Sequence, residues 1–374
     1  MQVPVGRNGL TADQVRALIR DSSTLHVSSG LQLVDVNLNV LADFVDDFQG
    51  GSVTRDAYST LHGTAQLVLA QELDWGTAIV RPYMTLSDGV VSATFNLGAY
   101  LTSSPRTEAG ETPRTHSIDG YDILHWLNTP VGASYVVPAG QGYLDAAEQV
   151  LLNQGIAAYQ IDQTAAASVL PVPKVWALDT QTTWLNIVND LLAAVGYLGL
   201  WSDWDGNLRM SAYDTPIART SEWFYSTDAA VSMLTPRRSA IHDLFNAPNK
   251  WVFYWSKDPS GAQPVEGAGV YTFQNDNVGD TSVDARGRII TAPPQQVDVV
   301  DQAALVLKAS QYIDTQLQVR TTIEAGTSPN PLHWHFDRLT LDDAELGRYV
   351  ELLGTKWTLP LDGSDMTHQW TRLT

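Results

Sequence analysis

The chain of 374 residues contains no cysteine. That excludes disulfide staples, thiolate metal sites and a cysteine nucleophile. Positive charge is scarce as well. Lys and Arg number 22 against 41 Asp and Glu, for a net charge of −19. A protein that neutralises nucleic-acid phosphates needs the reverse balance, and so does one that docks on an anionic membrane surface. No apolar run approaches the roughly 18 residues of a membrane span. The N-terminal stretch MQVPVGRNGLTADQVRALIR lacks a continuous apolar core and a small-residue cleavage site. A signal peptide is therefore not expected, and synthesis in a cytoplasm is. There is no HExxH, GxSxG, P-loop or GxGxxG. What remains suits a soluble subunit whose acidic surface prevents aggregation before assembly. An acidic wall would also repel DNA and let it slide past.

The length predicts two to four domains, and a hydrophobic fraction of 44% can fill sizeable cores. Thr11 and Gln14 form a capping box ahead of an apolar stripe of Val15, Leu18 and Ile19. DFVDDFQGGSVTRD reads as a strand that ends in a Gly-Gly loop. From Thr64 onward Ala65, Leu67, Leu69 and Leu73 share one face of a half-buried strand. Strands near 79–86 and 90–98 follow, joined at Ser87-Asp88-Gly89. Residues 103–117 are polar and rich in Pro, Gly and Thr, as at a domain boundary. The period then becomes helical. Asp119 or Asp122 caps a segment carrying Ile123, Leu124 and Leu127, and a second helix near 144–153 stops at Gly155. A third carries Trp184, Leu185, Val188, Leu191, Leu192 and Val195 and ends at Gly196.

WSDWDGNLRMSAYDTP reads as strand, Asp-Gly-Asn turn, strand. NKWVFYW is another strand, with Trp251, Phe253 and Trp255 on one face. A helix near 300–317 carries Leu305, Ala309, Tyr312 and Ile313. Strands at His333–Leu341, Tyr349–Leu353, Lys356–Leu359 and His368–Leu373 close the chain. No repeat of 20 to 50 residues is visible. The reading is an α+β fold, predominantly β. Residues 1–118 form a first β domain, completed by about 205–230. Residues 119–204 form an inserted α+β domain. Residues 231–374 form a second β domain that includes the 300–317 helix, with room for a small fourth subdomain.

Few constellations could carry chemistry. His333, His335 and Asp337 at i, i+2 and i+4 would share one face of a strand, and two histidines with a carboxylate can hold iron or zinc. A polar strand face beside the Pro-Asn-Pro turn explains them more simply, and no cofactor is expected. Asp203, Asp205, Gly206 and Asn207 resemble a fragment of a calcium loop, but the twelfth position is Asp214 and the glycine falls fourth rather than sixth. A hairpin turn fits better. Asp46-Asp47 and Asp342-Asp343 are neighbours on strands, so they point to opposite faces and cannot form a hydrolytic pair. Trp201 and Trp204 flank the Asp-Gly-Asn turn and are the candidates for stacking on a sugar.

Taken in order, several segments resemble the baseplate hub (tail-associated, minor tail) proteins of long-tailed bacteriophages. They are ELDWGTAIVRPYMTLSDG, FNLGAYL, DGYDILHWL, AVGYLGLWSDWDGNLRMSAYDTP, IHDLFNAPNKWVFY, RGRII and PLHWHFDRLTL, and they span most of the chain. The resemblance implies two related antiparallel β-barrel-like domains with smaller α+β domains inserted or appended. It also implies a structural protein of the virion rather than an enzyme. In that family a homotrimeric ring in the tail tip joins the hexameric tail, at its distal tail ring protein, to threefold tip or fibre proteins. Its channel passes the tape measure protein and then DNA, without specific binding, and assembly takes place in the host cytoplasm with no membrane partner. Many relatives carry a C-terminal fibre or peptidoglycan-cleaving extension. This chain ends at Thr374 soon after its last strand, so that activity is not expected. Two other readings remain open. One is a carbohydrate-binding tail module for host recognition through Trp201 and Trp204. The other, less favoured, is a cell-wall hydrolase.

Overall fold

Period-two alternation of apolar residues sets the architecture. The computed structural model describes all residues except 1–7, 22–24, 75–77, 104–105, 109–113, 164–167, 179–180, 229–232, 243, 246, 256–264, 298, 300, 319–320, 335 and 374. Helix α1 (Ala12–Asp21) starts at the expected capping box. The Gln14 backbone N–H donates to Thr11 Oγ1 at 3.3 Å, and the Thr11 N–H donates to Gln14 Oε1 at 2.9 Å. Its stripe of Val15, Leu18 and Ile19 is buried.

Nine strands follow: β1 (His26–Val34), β2 (Val40–Asp43), β3 (Phe48–Asp56), β4 (Gly63–Leu69), β5 (Ile79–Ser87), β6 (Ser92–Asn96), β7 (Tyr100–Thr102), β8 (Arg106–Glu108) and β9 (Thr115–Asp122). In β4 the alternation puts Ala65, Leu67 and Leu69 inward. The β5–β6 hairpin turns at Asp88-Gly89, where the Asp88 carboxylate accepts the N–H groups of Val90 and Val91, each at 2.8 Å. Two expectations are corrected. Gly50 and Gly51 are not a loop, because β3 runs through them with a bulge between Phe48 and Gly50. Gly51 adopts φ +141°, and a Cβ there would strike the Gln66 carbonyl oxygen of β4. Glycine thus lets two backbones approach inside a sheet. Nor does the first sheet stop at 103–117, of which residues 104–105 and 109–113 lie outside the described residues. The end of that stretch enters β9, whose alternate residues His116, Ile118 and Asp122 are buried, and β9 pairs with β4 from Thr64↔Tyr121 to Leu69↔His116.

The insert begins after Asp122, with a short 3-10 helix at Ile123–Trp126. It contains β10 (Tyr135–Val137), α2 (Tyr143–Asn153), β11 (Tyr159–Ile161), β12 (Lys174–Trp176), α3 (Trp184–Ala194), β13 (Trp201–Ser202) and β14 (Leu208–Met210). Helices α2 and α3 pack around a second core that includes Leu144, Val150, Leu185, Val188 and Leu192. Gly155 and Gly196, just past the helix ends, take φ +77° and +76°, which an L side chain resists. Strand β14 pairs with β13 and, in parallel, with β11. Trp223 and Tyr225, late in the expected 205–230 stretch, belong to the core of the large sheet, whereas β14, directly after the Asp-Gly-Asn turn, joins the insert. The reason is its apolar face: Leu208 and Met210 belong to the second core.

The chain then forms β15 (Trp223–Ser226) and β16 (Leu234–His242). A separate four-stranded sheet follows, made of β17 (Lys250–Trp255), β18 (Val265–Glu266), β19 (Gly269–Gln274) and β20 (Gln295–Val297), with the short α4 (Val283–Arg286) between the last two. Helix α5 (Gln302–Gln318) covers this sheet, and Leu305, Ala309 and Ile313 meet Trp251 and Phe253 in a third core. The last strands are β21 (Thr321–Thr327), β22 (Arg338–Asp343), β23 (Gly347–Pro360) and β24 (Met366–Arg372). The two strands expected at 349–359 are one, bent by a bulge between Gly354 and Lys356.

The strands outside the insert and the small sheet share one large sheet. Its main path runs β16-β21-β24-β23-β3-β4-β9-β7-β5-β1-β2. The halves join where β23 pairs with β3, from Lys356↔Asp56 to Pro360↔Ser52. A single core lies against it, from Leu31 and Leu67 to Trp357 and Trp370. The α+β, predominantly β class holds. No closed barrel forms among the described residues, where the main path of the sheet ends at β16 and β2. No helix among them is long and apolar enough to cross a membrane.

Candidate functional site

The polar groups that matter lie inside the molecule, where the insert meets the large sheet. Arg55 occupies an inward position of β3, two residues after the core residue Val53. Its guanidinium meets Asp122 Oδ2 at 2.7 Å, and neither side chain has any exposed surface. Ser202 of β13 donates to the same carboxylate oxygen at 2.6 Å, while Arg55 Nη2 donates to the Ser202 carbonyl at 3.2 Å. Trp334 lies over the guanidinium, 4.3 Å from Cζ to ring centroid, and donates its Nε1–H to the Ser202 carbonyl at 3.1 Å. Asp122 also caps the 3-10 helix by accepting the Leu124 N–H at 3.0 Å. Burial pushes the Asp122 carboxyl up, and the Arg55 charge draws it back. This seam is closed to solvent and ties sheet, insert and C-terminal half together.

The Asp-Gly-Asn turn is a second tie. Asp203 Oδ1 accepts the N–H groups of Asp205 at 3.0 Å and Asn207 at 2.9 Å, so the carboxylate is spent on turn geometry. Gly206, at φ +97°, presses against Ala99 beside β7. Asn96 of β6 donates to Asp205 Oδ1 at 2.6 Å, and the Gly98 N–H donates to the Trp204 carbonyl at 2.8 Å. The turn thus docks the insert on the sheet.

The residues singled out for metal binding are placed differently from expectation. β22 begins at Arg338, and the segment before it contains Phe336 at φ +63°, so the two-residue period does not extend to His333. His333 and Asp337 do come together, Nδ1 to Oδ2 at 3.2 Å, both nearly fully buried. His335 lies outside the described residues. His333 Nε2 meets the Tyr225 hydroxyl at 2.6 Å, and His368 Nε2 meets Thr327 Oγ1 at 2.8 Å. Burial lowers His333 to about 4 and holds His368 well below the usual imidazole range. Among the described residues no group of three or more His, Asp or Glu is gathered to hold a metal.

The glycan candidates line one cavity of about 880 Å3, with Arg209, Glu222, Lys308 and Tyr312 among its walls. It lies where β13, β14 and α5 meet the large sheet. Trp201 is almost fully buried, with the Arg209 guanidinium 5.8 Å from its ring centroid. Trp204 is half-buried and meets Trp334 edge-on at 6.2 Å. Both rings therefore spend most of their surface on the protein itself. Burial pushes Glu222 up to about 8 and pulls the Lys308 ammonium down. Asp342 and Asp343 engage Arg348 at 2.9 Å and Arg238 at 2.6 Å instead of facing each other across a cleft.

Sequence reasoning reached Asp122 only as a helix cap and missed Arg55 and Ser202. One signal was available: an arginine at the inward phase of an alternating strand needs a buried partner. The partners, 67 and 147 positions away, have no local signature.

No protein-family model matches the sequence, and no curated protein matches it. The fold does have counterparts. The tail protein from Neisseria meningitidis MC58 matches at TM-score 0.65 and 14% identity, over 92% of this chain and 96% of its own. The 43 kDa tail protein of prophage MuSo2 from Shewanella oneidensis matches at TM-score 0.61 and 12% identity, over 92% and 97%. Prophage tail protein gp18 from Listeria monocytogenes EGD-e matches at TM-score 0.52 and 11% identity, over 91% and 94%. At such identities the order and pairing of elements are shared, not the side chains. The tail-protein resemblance of the ordered sequence segments is met at the level of architecture, and the chain has the fold that these tail proteins share.

Proposed function

We propose that the chain is a structural subunit of a phage tail baseplate, a hub built as a homotrimeric ring in the tail tip. The ring joins the hexameric tail to threefold tip proteins, and its channel passes the tape measure protein and then DNA. The observation that carries this reading is the fold match along 92% of the chain to tail proteins that are themselves covered almost end to end. The interior supports it too. The buried charge is spent on tying units together, at Arg55, Asp122 and Ser202, rather than on an open reaction centre. A net charge of −19 suits a wall that DNA must slide past without sticking. The role is architectural, not enzymatic, and its place is the virion tail, assembled in the host cytoplasm.

The test is mass in solution and imaging of particles. Light scattering of the purified chain should give three times the monomer mass, and labelled particles should show a threefold ring at the tail tip. A stable monomer at high concentration that is also absent from purified particles would end the reading.

A further inference from the structure

We propose that the cavity where the insert, α5 and the large sheet meet is a binding site for an acidic sugar, with Lys308 as the seat of its carboxylate. The site goes beyond the hub reading and does not depend on it. Three units build the walls. Asn189, Trp204 and Arg209 come from the insert, Lys308 and Tyr312 from α5, and Phe336 from the segment before β22. The volume of about 880 Å3 lies within the range of small-ligand sites, about 300–1,000 Å3, which favour such junctions.

Charge decides what the cavity takes. Its walls hold three bases, Arg209, Arg219 and Lys308, and three acids, Asp162, Asp214 and Glu222. Arg209 is engaged by Asp162 at 3.4 Å, and Arg219 meets Glu222 at 3.7 Å. Asp214 is exposed to solvent. That leaves Lys308, which has no ion pair and no hydrogen bond among the described residues. Asp190 acts on it through space, but the Asp190 carboxylate accepts the Trp176 Nε1–H at 2.9 Å. Burial pulls the Lys308 ammonium down, as expected of a cation drawn from water without a bound counter-charge. In a chain with 41 acids and 22 bases, such an ammonium inside a cavity calls for an anion from outside. Glu222, pushed up to about 8, opposes that anion little near pH 7.

The rest of the wall selects a sugar over a simple ion. Tyr312 stands one turn beyond Lys308 on α5 and Gln316 one turn further, so ammonium, ring and amide line the cavity in a row. From the insert, Trp204 adds a second ring. Trp204 and Tyr312 are half-buried and keep ring surface toward the cavity, whereas Trp201 is almost fully buried. Asn189 Oδ1 is taken by the Leu200 N–H at 2.8 Å, which leaves its Nδ2 to donate. A pyranose offers an apolar face to the rings and hydroxyls to the amides. A bare phosphate uses neither. Tyr213, just past β14, already donates to Asp314 of α5 at 2.7 Å. A sugar acid held by Lys308 and Asn189 adds a further bridge between α5 and the insert.

Isothermal titration of the full chain at pH 7 with glucuronate, glucose and inorganic phosphate tests the site. Glucuronate should bind with a Kd of about 1 mM or tighter, and glucose and phosphate at least about tenfold more weakly. Lys308→Met keeps the stem of the side chain and removes its charge. It should cut glucuronate affinity at least about tenfold, while Lys356→Met, on the large sheet, leaves it unchanged. Hydrogen exchange should slow in α5 when glucuronate is added to the unsubstituted protein and stay unchanged in Lys308→Met. Glucose binding as tightly as glucuronate overturns the role of the charge, and phosphate binding as tightly overturns the sugar. No binding of glucuronate up to about 20 mM, well past the expected Kd, overturns the site itself. So does a Lys308→Met protein that melts normally and binds glucuronate as before. Where that variant fails to fold, the three probes on the unsubstituted chain still decide. None of these outcomes touches the hub reading, which stands or falls on the mass of the assembly.

Discussion

Asp122 serves three elements at once, since its carboxylate holds Arg55 of β3, accepts from Ser202 of β13 and caps the helix that opens the insert. Removing one partner of a buried ion pair leaves the other charge unpaired, at a cost of about 3–5 kcal/mol. Asp122→Ala should lower stability by that order in urea titrations, and Arg55→Met with Asp122→Leu should lose less than Asp122→Ala alone. The buried histidines add a pH dependence with a definite sign. His333 titrates at about 4 in the fold against an ordinary imidazole value of 6.5, so the unfolded chain binds the extra proton. Its contribution is present above pH 6.5 and is lost as pH falls toward and through about 4, at roughly 1.4 kcal/mol per pH unit per proton. Glu222 acts the other way. Raised to about 8 from an ordinary 4.5, it contributes below pH 4.5 and loses that contribution as pH rises through 8. His333→Gln should therefore regain ground on the unsubstituted protein between pH 6.5 and 4, and Glu222→Gln between pH 4.5 and 8. Denaturation midpoints across pH check both, because the constant cost of each substitution cancels in the difference.

Elements were legible where local rules decide them. The capping box at Thr11, the stripe of α3 and the alternation of β4 each need only a few adjacent residues, and all form, although β4 stops at Leu69 and leaves Leu73 outside the strand. The failures arose where a distant backbone decides. Nothing near Gly50-Gly51 says that β4 will pass so close, so a pair of glycines reads as a loop when it is a bulged strand. Gly51→Ala should therefore behave as a core defect, costing on the order of 1–3 kcal/mol through strain alone. Glycine substitutions in true loops should be far milder, and urea titrations of the two kinds side by side measure the gap. The small sheet makes a different case. Its core is separate from the other two, with Leu305 buried between α5 and β17. Leu305→Ala should cost about 2–5 kcal/mol. Hydrogen exchange should show the loss of protection concentrated between residues 249 and 318, with β3, β4 and β23 still protected. Equal loss across the large sheet would mean that the small unit is not an independent cooperative block.

At the scale of the whole molecule, the sequence segments carried the order of units but not their fusion. β3 and β23 pair across some 300 positions, a contact with no local trace, and that contact turns two expected β domains into one sheet. Among the described residues β2, β6, β8, β15 and β16 each pair with a single strand, so the fused sheet keeps several open edges. The insert presents a competing apolar surface: Val136 and Val175 stand directly opposite on β10 and β12, 52% and 60% exposed. Exposed apolar ribbons of this kind also mark contacts, so area alone does not choose between ribbon and edges. Experiment does: among the described residues β10 and β12 pair only with each other, while β2 and β16 end the main path of the sheet that carries the largest core. Val136→Lys with Val175→Glu preserves a favourable cross-strand pair while removing the ribbon's apolar surface. That variant should keep the threefold mass in light scattering, and Leu41→Asp with Ile241→Asp should dissociate to monomers with an unchanged melting temperature. The opposite pattern, a monomeric ribbon variant beside an intact edge variant, would move the subunit contact from the sheet to the insert.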